Sequence, residues 1–301
     1  MKKVLSVSLG SPTRNHKAQA EFLGELFELE RMGVGADWKR YVATYKEYDG
    51  KVDAFGIGGA EFHIQVDQKR YHFRQMKEVR QAIRLSKVGD GNGIKHLLAP
   101  RALARLEQVT GISLKGKKVF KTCAADRWGL AKALVDRGCD VTFGDLMLTL
   151  GIGIPLHSLR QVKLLAAFIA PIAVQLPFTL LYPLGEEQEK APGKRFSRYY
   201  EEADIIAGDF LQVWRYLPDD LSGKIIVTNT TTARNVEDLQ KRKLKILVTT
   251  TPRLQGRSFG TNVIEAALRV LVPKPDNEIT EEDLASLIDR IPILAEVMVL
   301  N

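Results

Sequence analysis

Residues 117–145 read KKVFKTCAADRWGLAKALVDRGCDVTFGD: a strand, a turn, a helix and a second strand that closes on an acid. Val119 to Thr122 is rich in β-formers. Leu130, Ala131, Leu134 and Val135 share one face of the helix that follows, and Gly138 stops it. Cys139-Asp140 then leads into a second β-rich run, Val141 to Phe143. A nucleotide-binding βαβ unit begins in this way, with a pyrophosphate on the helix N-terminus and an acid about twenty residues on, at the ribose. That layout assigns cofactor contacts to Ala124, Ala125, Asp126 and Arg127 at the turn, and to Asp145 at the distal strand end. Asp126 also suits a helix N-cap, and Arg127 a place on the surface. An acid at position 145 favours NAD over NADP, because it would repel a 2′-phosphate. The glycines of the usual fingerprint are replaced by Ala124, Ala125 and Asp126.

From Leu114 onward the same alternation continues. Ala203–Ala207 ends in Gly208-Asp209, Lys224–Val227 in a run of threonines with Asn229, and Leu244–Val248 in Thr249-Thr250-Thr251-Pro252. Short Ile- and Val-rich runs that close on small polar residues read as buried parallel strands, and ligands collect at their carboxyl ends. Thr228, Asn229, Thr230 and Thr250 therefore join the expected cofactor contacts. The loop that follows carries hydroxyls and two arginines, an anion or polyol pocket, so Thr251, Arg253, Arg257 and Ser258 are expected on the substrate. The first 110 residues mix strands, a hairpin around Asp67-Gln68-Lys69 and helices over 37–48 and 76–85. The expected fold is α/β: a smaller α+β domain over 1–110, then a Rossmann-like parallel-sheet domain over 111–301.

Gly89-Asp90-Gly91-Asn92-Gly93-Ile94-Lys95-His96 stands just before an apolar helix. Its glycines allow close backbone approach. Asp90 and Lys95 can pass a proton to or from a hydroxyl, with the lysine pKa falling in a dry cleft. An interdomain turn capped by Asp90 is the alternative. The five histidines show no metal-ligand spacing, so no metal site is expected.

Leu164 to Leu184 holds no charge, which makes an apolar helical insertion at about 155–190. Pro171, Pro177 and Pro183 argue against one straight helix. A buried hairpin or homodimer face, a peripheral membrane contact or hydrophobic-substrate element, and a span all remain open readings. The net charge of +8 is spread along the chain without interleaved aromatics, so no nucleic-acid partner is expected. Two cysteines form no disulfide framework, and Val4 to Leu9 is too short and alternating for a signal peptide. A cytoplasmic location is the expectation.

At these residues the chain resembles a bacterial family named for quinate 5-dehydrogenase, itself loosely similar to shikimate and quinate dehydrogenases. The resemblance to the first runs through Val4–Gly10, Gly56–Gly59, Asp90–His96, Gly144-Asp145, Leu181–Glu189, Ala207–Asp209 and Thr249–Glu265. In shikimate dehydrogenases an Asp-Gly-x-Gly turn supplies a catalytic Asp, and Asp90-Gly91-Asn92-Gly93 is similar to it. Thr251-Pro252 with Gly256 is similar to a loop near the nicotinamide. The partner lysine motif of that family has no counterpart before Asp90, and the cofactor turn lacks its glycines. The resemblance implies an NAD(P)-dependent oxidoreductase acting on a hydroxyl or carbonyl of a small polar or cyclic, quinate- or shikimate-like substrate. The alternative is a non-redox nucleotide-sugar- or lipid-handling protein that docks to membranes through its apolar segment.

Overall fold

The computed structural model describes residues 1–178, 193–254, 257–291 and 295–301. It is mixed α/β, with two mainly parallel sheets in a two-unit layout. The first sheet contains β1 (Lys2–Ser8), β2 (His16–Phe22), β3 (Glu25–Gly33), β4 (Ala54–Gly58) and β7 (Lys87–Gly89), in the order β2-β3-β1-β4-β7. β1 runs parallel to both β3 and β4, while β2 forms an antiparallel edge. A separate hairpin joins β5 (His63–Val66) to β6 (Lys69–His72).

Alternation along β1 shows how the sheet is covered. Leu5 and Val7 pack on one face against Tyr41 and Tyr45 of α1 (Trp38–Tyr48) and Val79 of α2 (Met76–Ala82). Val4 packs on the other, with Phe27, Leu29 and Ala54.

The second sheet contains β8 (Lys118–Lys121), β9 (Asp140–Phe143), β10 (Ile205–Ala207), β11 (Ile225–Thr228), β12 (Ile246–Thr249) and β15 (Glu296–Val299), in the order β15-β12-β11-β10-β8-β9. All pair in parallel except β15, which is antiparallel to β12. The central strands β10, β11 and β12 are buried throughout, which is why they read as short apolar runs. Ile205, Ile225, Ile246 and Val248 lie over α3 (Asn92–Thr110) and α4 (Trp128–Asp136). Ile206, Ile226 and Leu247 lie on the opposite face. They pack there with Met147 of α5 (Asp145–Leu150), Tyr200 of α7 (Ser197–Glu202), Val213 of α8 (Phe210–Trp214) and Leu239 of α9 (Ala233–Lys241). Between β12 and β15 lies the short pair β13 (Arg253–Leu254) and β14 (Arg257–Ser258).

A single cut at residue 110 does not separate the two units. α10 (Thr261–Leu271) leaves the second unit and packs Val263, Ile264, Ala267 and Leu268 onto the first sheet, beside Leu284 and Ile288 of α11 (Glu281–Asp289). β7 is fitted to receive α10. A Cβ on Gly89 would stand 2.5 Å from the Ala266 nitrogen, and the Lys87 ammonium donates to the Arg269 and Val272 carbonyls at 2.7 and 2.6 Å, capping the helix end. α3 is shared as well, with Ile94 and Leu98 in the first core and Ala102, Leu103 and Leu106 in the second. An amphipathic helix records that it has an apolar stripe, not which sheet the stripe meets.

The apolar segment is likewise a bridge. α6 (Leu159–Ala173) starts on Ser158, which accepts from the Gln161 amide. Val162 packs in the second unit, while Ala166, Ala170, Val174 and Phe178 pack in the first. Leu164, Phe168 and Ile172 point to solvent. Residues 179–184 of the predicted segment lie outside the described residues. Among the described residues no helix is long and apolar enough to cross a membrane.

Candidate functional site

The carboxyl ends of β1 and β4 face those of β8, β10 and β11 across a cleft of about 370 Å³. α6 supplies one apolar wall through Val162, Leu165, Ile169 and Ala173, with Ile57, Ile64 and Phe178 alongside. Five acids (Glu61, Asp90, Asp126, Asp145, Asp209) and five cations (Arg14, Arg31, Lys95, Arg127, Arg215) line the rest, so the charged lining among the described residues is balanced.

Glu61 follows the Gly58-Gly59 end of β4, and Lys95 projects from the first turn of α3. Their side chains meet at 2.6 Å, and both are largely buried. Burial pushes the Glu61 carboxyl up to about 7; Lys95 opposes this, while Asp126 and Asp90 add to it. Burial also acts to lower the Lys95 ammonium, but Glu61 and Asp126 outweigh it and the group is raised. The fall expected for a dry lysine does not occur, because the site supplies counter-charges.

Asp90 has a different set of partners. One carboxylate oxygen accepts from the Phe62 amide at 2.9 Å and the Asn92 side chain at 2.9 Å, and the other from the Asn92 amide at 3.0 Å. It clasps the start of α3, where Gly91 adopts φ 93° and donates its amide to the buried Glu265 at 2.8 Å. Asn92 also accepts from Lys95 at 3.4 Å, and is the contact between the two residues read as a proton relay. The carboxylate paired with Lys95 is Glu61.

The Cys123–Arg127 turn is occupied by its own acid. Asp145 accepts from the Ala124 and Ala125 amides at 3.0 and 2.9 Å and from the Cys123 thiol at 3.5 Å. Burial raises its pKa, with the amide bonds acting against that shift. The N-cap of α4 is Arg127 rather than Asp126. The Arg127 guanidinium donates to Asp209 at 3.1 Å and lies 3.6 Å from Asp126. Asp209 also accepts from the Asn229 side chain at 2.9 Å. Burial would raise Asp209, but Arg127 and these hydrogen bonds hold it below the usual carboxylate range.

The Ala124 and Ala125 amides are not free to hold a pyrophosphate. Two amides that would receive it are bonded to Asp145, and Asp126 and Asp209 stand beside them. Asp145 has both oxygens turned to the backbone, not presented to a ribose. The glycines absent from the sequence are the counterpart of this arrangement: the side chain of an acid, not a ligand, satisfies the turn.

The remaining expected residues divide. Asn229, Thr230 and Ser258 line the cleft, and Ala124 is fully buried behind the turn. Thr228, whose hydroxyl donates to the Gly208 carbonyl at 2.9 Å, and Thr250 line a neighbouring cavity of about 20 Å³ with Lys95 and Arg127. Thr251 lies outside the cleft lining; its hydroxyl is turned inward to the Phe259 and Asn229 carbonyls, at 2.7 and 3.2 Å. Arg253 is carried away towards Met298 of β15, at 3.2 Å. Arg257 is placed only by its backbone in β14. Glu61, Asp209 and Asn262 were not singled out from sequence. Asp209 had a signal, being the polar residue that closes an apolar strand. Glu61 and Asn262 had none: Glu61 comes from the loop after β4, and Asn262 from the start of α10, where the chain returns to the first unit.

The family model described as Domain of unknown function (DUF8754) matches residues 93–300, and that described as Domain of unknown function (DUF8753) matches residues 3–90. The two stretches meet at the turn that opens α3. No curated protein matches the chain. Among solved structures it is similar to a galactofuranose binding protein, with 11% identity over 99% of this chain and 95% of that one and a TM-score of 0.38. It is similar to the periplasmic binding protein component of the arabinose ABC transporter from Shewanella sp. ANA-3, with 11% identity over 96% and 95% and a TM-score of 0.35. A hetero-hexameric glutamate dehydrogenase from Thermus thermophilus gives 12% identity over 96% of this chain and 74% of that one, with a TM-score of 0.38.

Proposed function

We propose that this chain, which belongs to the family described as Domain of unknown function (DUF8754), binds a small polyhydroxylated molecule in the cleft between its two sheets. The observation that carries this reading is the linked polar set Asp126–Arg127–Asp209–Asn229 beside Glu61–Lys95 in a charge-balanced cleft. Each hydroxyl of a polyol donates one hydrogen bond and accepts others, so it pairs with carboxylate, amide and guanidinium groups held side by side. The acids and cations of the lining are equal in number, so the ligand need bring no net charge. A polyanion would meet five carboxylates, and a polycation five basic groups. The α6 wall suits the C–H face of a ring, and the volume lies within the ~300–1,000 Å³ of small-molecule pockets.

The amides of Ala124 and Ala125 are already bonded to Asp145, which favours a polyol over a dinucleotide seated by its pyrophosphate at this turn. The reading is tested by thermal-shift titration of the full chain with pentoses, hexoses, cyclitols, NADH and NADPH. At least one sugar or cyclitol should raise the midpoint saturably, and Asp126→Asn should weaken that response. A response to the dinucleotides alone would contradict it.

A further inference from the structure

We propose that Glu61 and Lys95 make the cleft the site of a cofactor-free proton transfer, the isomerisation of a polyhydroxylated compound that carries a carbonyl next to a hydroxyl-bearing carbon. This rests on the reading that the cleft takes a polyhydroxylated ligand, and it adds a reaction to that binding.

The pair is built as a couple of opposite kind. Glu61 comes from the loop after β4 and Lys95 from the first turn of α3, so two different elements hold them at 2.6 Å. Asn92 accepts from Lys95 at 3.4 Å and is itself fixed on Asp90. Both members line the cleft beside Asp126 and Arg127, which address the ligand's hydroxyls. Burial pushes the Glu61 carboxyl up to about 7, where a carboxylate is basic enough to take a proton and still ionised in part at neutral pH. Lys95 keeps its proton and can give it to an oxygen.

The steps balance within the substrate. The Glu61 carboxylate takes the proton from the hydroxyl-bearing carbon. The C–H electron pair becomes a carbon–carbon double bond, and the carbonyl π pair moves to its oxygen, which takes a proton from Lys95. In the enediol so formed, the neighbouring hydroxyl returns its proton to the Lys95 amine as its own C=O forms. The protonated Glu61 then gives its proton to the former carbonyl carbon. One carbon is oxidised and its neighbour reduced by the same electron pair, so neither oxidant nor reductant is required, and both side chains end as they began.

The test uses the full chain in D₂O with pentoses, hexoses and their 2-ketose isomers, read by NMR for solvent deuterium at the carbons flanking the carbonyl. The same samples are titrated for binding. Wild-type protein should catalyse incorporation into a sugar that binds, and Glu61→Gln should cut the rate by about 10²-fold or more while the sugar still binds. Glu61→Asp, which draws the carboxylate back by one methylene, should give an intermediate rate and serves if the Gln variant does not fold. Binding without catalysed exchange, or exchange unchanged in Glu61→Gln, overturns the proton transfer and leaves the binding reading standing. Binding of none of these sugars overturns the proton transfer, and if the cyclitols titrated in the same way also fail to bind, the binding reading falls with it.

Discussion

Glu265 and Glu61 are raised by the same cause, burial, to about 8 and about 7 from an ordinary value of 4.5. Asp90 adds to the first shift while Arg269 and the Gly91 and Gly93 amides oppose it; Asp126 and Asp90 add to the second while Lys95 opposes it. In each case the folded state holds a proton that the unfolded state has lost, so stability is full below about 4.5 and falls as pH rises through the folded value. Glu265→Gln should therefore gain on the wild type between pH 5 and 8, by at most about 1.4 kcal/mol per pH unit. Urea titrations at several pH values check this, and a constant difference would contradict it. The exchange reaction should rise as pH passes about 7, where Glu61 ionises. Such residues separate what sequence does and does not disclose. Asp90 was visible because three glycines frame it, whereas Glu61 lies 34 positions from Lys95 and only the folded chain joins them. Asp145 was visible as an acid at the right distance, but its bonding to the Ala124 and Ala125 amides is a feature of the fold that spacing alone does not disclose.

At the level of elements, β10, β11 and β12 of the second sheet were legible, because burial on both faces demands short Ile- and Val-rich runs, whereas the half-exposed edge strand β15 was not read. α10 was legible as a helix but not as a part of the first unit. Its place is written in Gly89, where the helix backbone comes so close that a Cβ would lie 2.5 Å from the Ala266 nitrogen. Gly89→Ala should destabilise the protein by roughly 1–3 kcal/mol, read as a lower urea midpoint with little change in slope. A midpoint equal to the wild type would contradict the contact. In α6 the apolar pattern was plain, yet its outcome was two-sided. Ile169 and Ala173 face the cleft while Phe168 is 76% exposed, so hydrophobicity alone did not fix which face is buried.

Over the whole molecule, the chain passes between its two units more than once, through α3, through α6, into α10 and back into β15. A fragment of residues 1–110 carries the entire first sheet but lacks Val263, Ile264, Ala267 and Leu268, which cover one face of it. It should remain unfolded or molten, with weak near-UV dichroism and no cooperative urea transition; a cooperative transition would contradict the shared core. The two-unit α/β layout was legible from the change of pattern near residue 114, whereas the return of the chain was not, because nothing local marks it. That return brings Asn262 into the cleft wall and supplies Glu265 beneath the turn that opens α3. The most direct measurement is isothermal titration of the full chain with the sugar or cyclitol giving the largest thermal shift, with NADH titrated in parallel. The prediction is a saturable one-to-one heat for the polyol that Asp126→Asn weakens. Saturable heat for NADH, with only dilution heat for every sugar and cyclitol, would contradict it.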